Sequence, residues 1–182
     1  MVEVIEEIKQ RTSQRAFADK PISDEMLESI LEAGRLAPSC ANTQAWDFIA
    51  IKDKEALEEV HETISGGNYW GKRAPVIIVI VTKEGGGCGA HDLPYWMMDV
   101  GLATQNILLQ SFRLGLIAHP TAGWNEKEMM EVLGIPKEYR IGTVIFVGYK
   151  GDPSLLDERN QEREAAPRKR KPFEEIVHYD KW

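Results

Sequence analysis

Pro75-Val76-Ile77-Ile78-Val79-Ile80-Val81-Thr82 is a run of β-branched residues with no polar side chain until Thr82. Their stiff χ1 torsions favour extended backbone, and a strand with no polar face predicts the centre of a sheet covered on both sides. Two more segments read as strands. One is Phe48-Ile49-Ala50-Ile51 within residues 47–52, and the other is Gly142-Thr143-Val144-Ile145-Phe146-Val147-Gly148-Tyr149.

Helical patterns lie between them. Val2, Ile5 and Ile8 recur at helical spacing, which predicts a short amphipathic helix ending at Arg11. Ser23 stands as the cap of a second helix, with Asp24 and Glu25 in its first turn, Met26, Leu27, Ile30, Leu31 and Leu36 on its buried side, and Pro38 as its stop. Asp53 caps a third, which carries Leu57, Val60 and Ile64. The longest helix runs from about Pro94 to Leu114 and is apolar almost all round, so it requires cover on more than one side. Its small or polar positions, Asp99, Gly101, Ala103 and Asn106, suit either packing within the domain or a homodimer interface. Asn125 with Glu128 caps the last regular helix, which ends at Gly134. The charged stretch from Asp152 to Ala166 reads as solvated and extended. It leads to the basic cluster Arg168-Lys169-Arg170-Lys171 and a short amphipathic end at Phe173, Ile176 and Val177.

A chain of 182 residues with 43% hydrophobic content predicts one domain spanning residues 1–182. The formal net charge of -7 argues against nucleic acid as a partner, because phosphate-backbone affinity needs a broad basic face. Acidic residues occupy the N-terminal segment, where a signal peptide would carry bases, and no apolar run reaches about eighteen residues. A cytoplasmic protein without membrane contact is the expectation. Cys40 and Cys88 have no metal-ligand spacing and predict no disulfide framework, which fits a reducing compartment and gives the thiols no redox role. His61, His91, His119 and His178 form no ligand grouping, so no metal is expected. No G-x-G-x-x-G turn, P-loop, H-E-x-x-H, paired C-x-x-C or G-x-S-x-G elbow occurs.

The segment Ala37-Pro38-Ser39-Cys40-Ala41-Asn42-Thr43-Gln44-Ala45-Trp46 gathers amides and hydroxyls between an apolar helix and an apolar strand, as a wall that reads a planar heterocycle would. Arg11-Thr12-Ser13-Gln14-Arg15 flanks a hydroxyl with two guanidinium forks, which suits a phosphate dianion; a solvated helix C-terminus carries the same charges. The cluster from Arg168 to Lys171 reads either as a second phosphate anchor or as a basic tail or sorting signal. Trp46, Trp70, Trp96 and Trp124 read as packing residues, with Trp124 the nearest of them to a cleft. Asn68 and His91 lie in turn-rich segments and read as surface loop, with ligand contact as the alternative.

Taken in order, these motifs resemble the FMN-dependent nitroreductase family over nearly the whole chain, from Arg11 to Trp182. The resemblance implies that Arg11, Thr12, Ser13 and Arg15 hold the FMN phosphate and ribityl chain and reach the pyrimidine edge. Pro38, Ser39, Asn42, Gln44 and Trp46 match the family's A-P-S-x-x-N-x-Q-P-W loop, which implies that Pro38, Ser39, Cys40 and Asn42 contact flavin from the partner subunit. Pro120, Thr121, Ala122 and Gly123 fall where family members place amides near flavin N5, and Arg168 and Arg170 are the implied further phosphate ligands. The segments Asp99-Val100-Gly101 and Leu114-Gly115-Leu116 resemble the family's dimer-interface helix.

The implied fold is α+β, an antiparallel-rich sheet flanked by helices, in an intertwined homodimer with FMN between subunits. The implied activity is ping-pong hydride transfer from NAD(P)H through the flavin to nitroaromatic, quinone or flavin acceptors, with no catalytic side chain. The alternatives are a non-catalytic flavin-binding protein and a dehalogenating or flavin-destroying branch of the superfamily. The chain departs from the family pattern at Cys40, where Ser is common, at Ala45, where Pro is common, and at Ala122, where Glu occurs. The stretch between Thr82 and Leu93 is also short, which predicts an open site.

Overall fold

The strand Val76–Lys83 buries every side chain from Val76 to Thr82, and the remaining elements are arranged to cover it. The computed structural model describes residues 3–90 and 93–182, so the expectations placed on Val2 and His91 lie outside the described residues. In chain order the elements are α1 (Glu6–Gln10), α2 (Asp24–Arg35), β1 (Asp47–Ile51), α3 (Lys54–Glu62), β2 (Val76–Lys83), β3 (Gly89–Ala90), β4 (Leu93–Pro94), α4 (Tyr95–Arg113), β5 (Ile117–Thr121), α5 (Glu126–Leu133), β6 (Tyr139–Gly148) and α6 (Glu158–Ala165).

Four strands form one sheet in the order β1-β2-β6-β5, every pair antiparallel, and β3 with β4 makes a separate two-residue hairpin. Strand periodicity sends alternate residues of β2 to opposite faces. Val76, Ile78 and Ile80 join Ile145 and Val147 of β6 under α2 and α4, where Leu27, Ile30, Val100, Ala103 and Ile107 close the first core. Ile77, Val79 and Val81 join Val144 and Phe146 on the other face, with Val60, Ile64, Trp70 and Met129. A register shift between Ile80 and Val81 brings Ile141 into this second core. The α+β architecture with helices on both faces is as the sequence predicts.

The predicted caps form. Ser23 Oγ accepts from the Met26 N–H, Asp53 accepts from the Glu55 and Ala56 amides, and Asn125 Oδ1 accepts from Glu128, while Gly134 ends α5 at φ 63°.

Several expectations are corrected. The stretch assigned as extended between Asp152 and Ala166 contains α6, whose Asp157 carboxylate accepts from the Asn160 N–H at 2.8 Å, so α5 is not the last regular helix. Asn160 and the side chain of Glu164 are buried, which is why a charged segment holds a fixed helix here. Leu36 lies on the bare side of the chain at 64% exposure because α2 has already ended at Arg35. The predicted N-terminal helix exists as α1, but none of its residues is buried, and Val4, Ile5 and Ile8 face outward. The small residues of α4 divide: Ala103 is buried within the chain and Asn106 Nδ2 donates to Ala33 O at 3.0 Å, whereas Gly101 borders open space beside exposed Met97 and Met98.

The expectation of two unlinked cysteines is also corrected. Cys40 and Cys88 form a disulfide across 48 positions of sequence, with their Cα atoms 5.7 Å apart, because the segment after β2 folds back over the loop after α2. Spacing along the chain carried no sign of this contact. A cross-link over that separation restricts the unfolded chain by about 4 kcal/mol in the chain-entropy account.

Gly71 shows how closely the second core is filled. A Cβ on it would stand 2.5 Å from two ring carbons of Phe146, which is itself fully buried. Gly71→Ala is expected to cost about 1–3 kcal/mol by overpacking, read as a lower denaturant midpoint at unchanged slope.

Candidate functional site

Two basic segments at opposite ends of the sequence meet in one cavity. Arg11, Thr12 and Ser13, which follow α1, and Arg168 and Arg170, which follow α6, line a space of about 330 Å³. Arg163 and Lys169 add two more cations to its wall, and among the described residues Glu164 is the one carboxylate there. Glu164 Oε1 accepts from the Arg15 backbone N–H at 2.7 Å and lies 3.6 Å from the Arg15 guanidinium. Two hydrogen bonds tie the segments together, from Arg168 to Ile8 O at 2.9 Å and to Arg11 O at 3.3 Å.

This arrangement is costly without an anion. The Arg11 guanidinium is held below its usual pKa, first by burial and then by repulsion from Arg168 and Arg170. An oxyanion with several acceptor oxygens would relieve that repulsion and take charge-assisted hydrogen bonds from the same groups. Arg15, in contrast, does not line the cavity; its guanidinium lies 3.6 Å from Glu164 Oε1 and 5.8 Å from the Trp70 ring centroid.

The loop from Pro120 to Gly123 is joined to this cavity through a histidine. His119, at the centre of β5, places Nδ1 3.1 Å from Gln14 O, and its ring lies 4.4 Å from that of Trp70. A carbonyl only accepts, so Nδ1 carries the proton and donates. Burial is the largest influence on this imidazole and lowers its pKa to about 4, with the nearby Arg15 and Arg11 charges acting in the same direction.

Beyond His119, Asn68 Nδ2 donates to Thr121 Oγ1 at 2.8 Å and to Gly123 O at 3.2 Å. The Gly123 N–H points at Thr121 Oγ1, 3.3 Å away, and a Cβ on Gly123 would meet Asn68 Nδ2 at 2.3 Å. Asn68 is therefore a brace for this loop, a role its surface-loop reading did not capture. Glu164 was missed as well, because the segment that carries it was read as extended.

Pro38, Ser39, Cys40 and Asn42 are not part of the cavity lined by Arg11. They follow α2 and rest against α4, where the Cys40 N–H donates to Asp99 Oδ1 at 3.0 Å. The loop is held by Asn42 N–H to Ser39 O and Gln44 N–H to Ser39 Oγ, at 3.0 and 2.9 Å. Ala41, Asn42 and Gln44 all have positive φ, at 48°, 55° and 52°. Non-glycine residues seldom cluster in that region, and such clusters mark sites where local backbone strain is held by the surroundings. Within one chain, then, the structure unites the N- and C-terminal basic residues, connects Pro120–Gly123 to them, and leaves Pro38–Asn42 apart.

The model described as the Nitroreductase family matches residues 8–68 and 59–149. A protein of Archaeoglobus fulgidus named "Putative NADH dehydrogenase/NAD(P)H nitroreductase" is 33% identical over 156 residues, covering 84% of this chain and 88% of its own. The "FMN reductase [NAD(P)H]" of Bacillus subtilis is 26% identical over 176 residues, covering 87% of this chain and 70% of its own. A crystal structure described as an oxidoreductase containing FMN superposes with a TM-score of 0.89 at 29% identity, covering 100% of this chain and 93% of that one.

The buried imidazole makes a pH dependence. His119 is neutral in the folded and unfolded states at pH 7, but below about 6.5 the unfolded chain takes up a proton that the folded one refuses. The contribution of His119 to stability is therefore complete above about pH 6.5, falls as the pH drops toward about 4, and amounts to about 3 kcal/mol over that window. Denaturant unfolding of wild type and His119→Gln at pH 7, 5.5 and 4 should show a shallower loss in the variant.

Proposed function

The chain belongs to the nitroreductase family, and from that premise we propose that it is an FMN-dependent NAD(P)H oxidoreductase, acting as a homodimer with a flavin between the subunits. The observation that carries the proposal is the meeting of Arg11, Arg168 and Arg170 in one cavity where, among the described residues, the one carboxylate is Glu164, whose Oε1 faces Arg15. That donor set fits the phosphate end of FMN. When bound, the flavin supplies two-electron chemistry between the nicotinamide and an acceptor.

The residues of the chain bind and orient. Arg11, Arg168 and Arg170 hold the phosphate, with Thr12 and Ser13 as hydroxyl partners. Arg15 faces the pyrimidine edge from its position between Glu164 and Trp70. Pro120 and Thr121 border the flavin; since the Gly123 N–H is directed at Thr121 Oγ1, Ala122 is the amide this reading gives to the reactive edge. Pro38, Ser39, Cys40 and Asn42 serve the site of the partner subunit, which accounts for their separation from the Arg11 cavity.

The dimer follows from what one chain leaves bare. Val4, Ile5, Ile8, Leu36, Met97 and Met98 are exposed, and so are Phe173, Ile176 and Trp182 of the tail. Apolar surface of this kind calls for a partner, and an obligate dimer covering it would bury above about 2,000 Å². No helix among the described residues is long and apolar enough to cross a membrane. A cytoplasmic location goes with the proposed use of NAD(P)H.

The test is the purified protein itself. It should be yellow, sediment as a dimer and release FMN on denaturation; a colourless chain that fails to take up FMN overturns the reading. Arg11→Ala and Arg170→Ala should each weaken FMN binding, since a charge-assisted hydrogen bond contributes about 1.5–3 kcal/mol, or about ten- to a hundredfold in affinity.

Donor and acceptor would use the same open flavin face in turn, so turnover is ping-pong. Initial rates at several concentrations of a quinone should give parallel double-reciprocal lines, and intersecting lines would require a ternary complex instead.

A further inference from the structure

Cys40 and Cys88 are half-buried, so their bridge is open to a small reagent. It joins two segments, the Ser39–Asn42 loop and the arm that leads from β2 to the β3–β4 hairpin. Gly85 and Gly87 give the arm positive φ values of 76° and 81°, and a Cβ on Gly85 or Gly89 would meet nothing within 4 Å. Gly87 packs on the residues that follow the loop, where a Cβ would stand 3.3 Å from Ala45 Cβ and Thr43 Oγ1.

Asp99 of α4 lies beneath both segments and is completely buried. Its Oδ1 accepts from the Cys40 N–H, while a Cβ on Gly87, the neighbour of Cys88, would stand 3.5 Å from its Oδ2. Among the described residues that second oxygen has no hydrogen-bond partner. A buried carboxylate oxygen without a donor is unusual.

We propose that Cys40–Cys88 is a reversible dithiol–disulfide site that locks the Ser39–Asn42 loop in its ligand-facing form when oxidised and releases it when reduced, with a small dithiol as its co-reactant. The proposal rests on the reading above that this loop borders FMN. In the reduction, one thiolate of the dithiol attacks a sulfur of the bridge, the protein S–S bond breaks, and the other cysteine leaves as a thiolate that takes a proton. The second thiol of the dithiol then displaces the remaining cysteine from the mixed disulfide. Two electrons pass from the dithiol to the protein, two cysteine thiols form, and the dithiol ends as a cyclic disulfide. When the bridge is open, the three positive-φ residues Ala41, Asn42 and Gln44 keep only their local hydrogen bonds and the contact with Asp99.

The test uses the full-length protein equilibrated with dithiothreitol and its oxidised form at defined ratios. Thiols are trapped with N-ethylmaleimide and located by mass spectrometry, FMN affinity is read from flavin fluorescence, and far-UV circular dichroism follows the fold. Limited proteolysis between residues 84 and 94 reports on the arm. The expected result is that neither cysteine is labelled in the oxidised protein, and that both are labelled after reduction with the circular dichroism retained. FMN affinity should fall by about tenfold or more, as it does when the binding-competent loop becomes a minor conformer, and should return on reoxidation. Cys88→Ser should behave as the reduced protein under either condition.

Labelling of both cysteines in the oxidised protein overturns the proposal, as does unchanged FMN affinity across the two states. Loss of the folded signal on reduction also overturns it, because the bridge would then be a staple rather than a lock. If FMN binds in neither state, the functional reading falls by itself and proteolysis decides the lock: cleavage that rises on reduction supports it, and unchanged cleavage overturns it.

Discussion

A strand with no polar face must be covered twice, and that requirement on β2 organises the molecule. Its even-numbered side chains draw in α2 and α4, and its odd-numbered ones draw in α3, α5 and the turn carrying Trp70. Because both layers grip the same strand, displacement on one face is felt on the other. Trp70 illustrates the coupling: its ring packs on Phe17, Phe146 and His119, so a core contact also fixes the imidazole that holds the 11–15 segment in place.

The cavity at the chain ends follows a different rule, one of charge. Clustering guanidinium groups is unfavourable, and the nearby acid does not neutralise the cluster because it is committed to Arg15. The wall is held by α6, which is fixed through its Asp157 cap, the burial of Asn160 and the bond from the Arg15 N–H to Glu164. Occupation of the cavity adds to stability rather than creating it.

What could be read from the sequence divides along the reach of the interactions. The strand at 76–83 and the caps at Ser23, Asp53 and Asn125 were legible because their signals are local: a continuous apolar run, or an oxygen two or three residues from the amide it serves. The motifs at 11–15 and 37–46 and the cluster at 168–171 were legible as chemistry and 120–123 through the family resemblance, although only the fold shows that 11–15 and 168–171 share a wall. The helix α6 was missed because its buried groups are polar and Glu164 meets Arg15 far away in sequence; Asp157, a good cap before a charged run, was the available signal. The disulfide was invisible for the same reason, since two lone cysteines carry no mark of their partner until the chain turns back. Leu36 and Ile5 show the converse limit: apolarity says that something covers a residue, not that the same chain does.

One consequence concerns the order in which the protein comes into being. Arg11 is made well before Arg170, yet the two share a wall, and the bond from Arg168 to Ile8 O spans 160 positions of sequence. During synthesis the sheet can assemble while this cavity still lacks one side. A chain interrupted after β6 would hold the four strands of the sheet but neither Leu156 of the second core nor the wall supplied by Arg168 and Arg170.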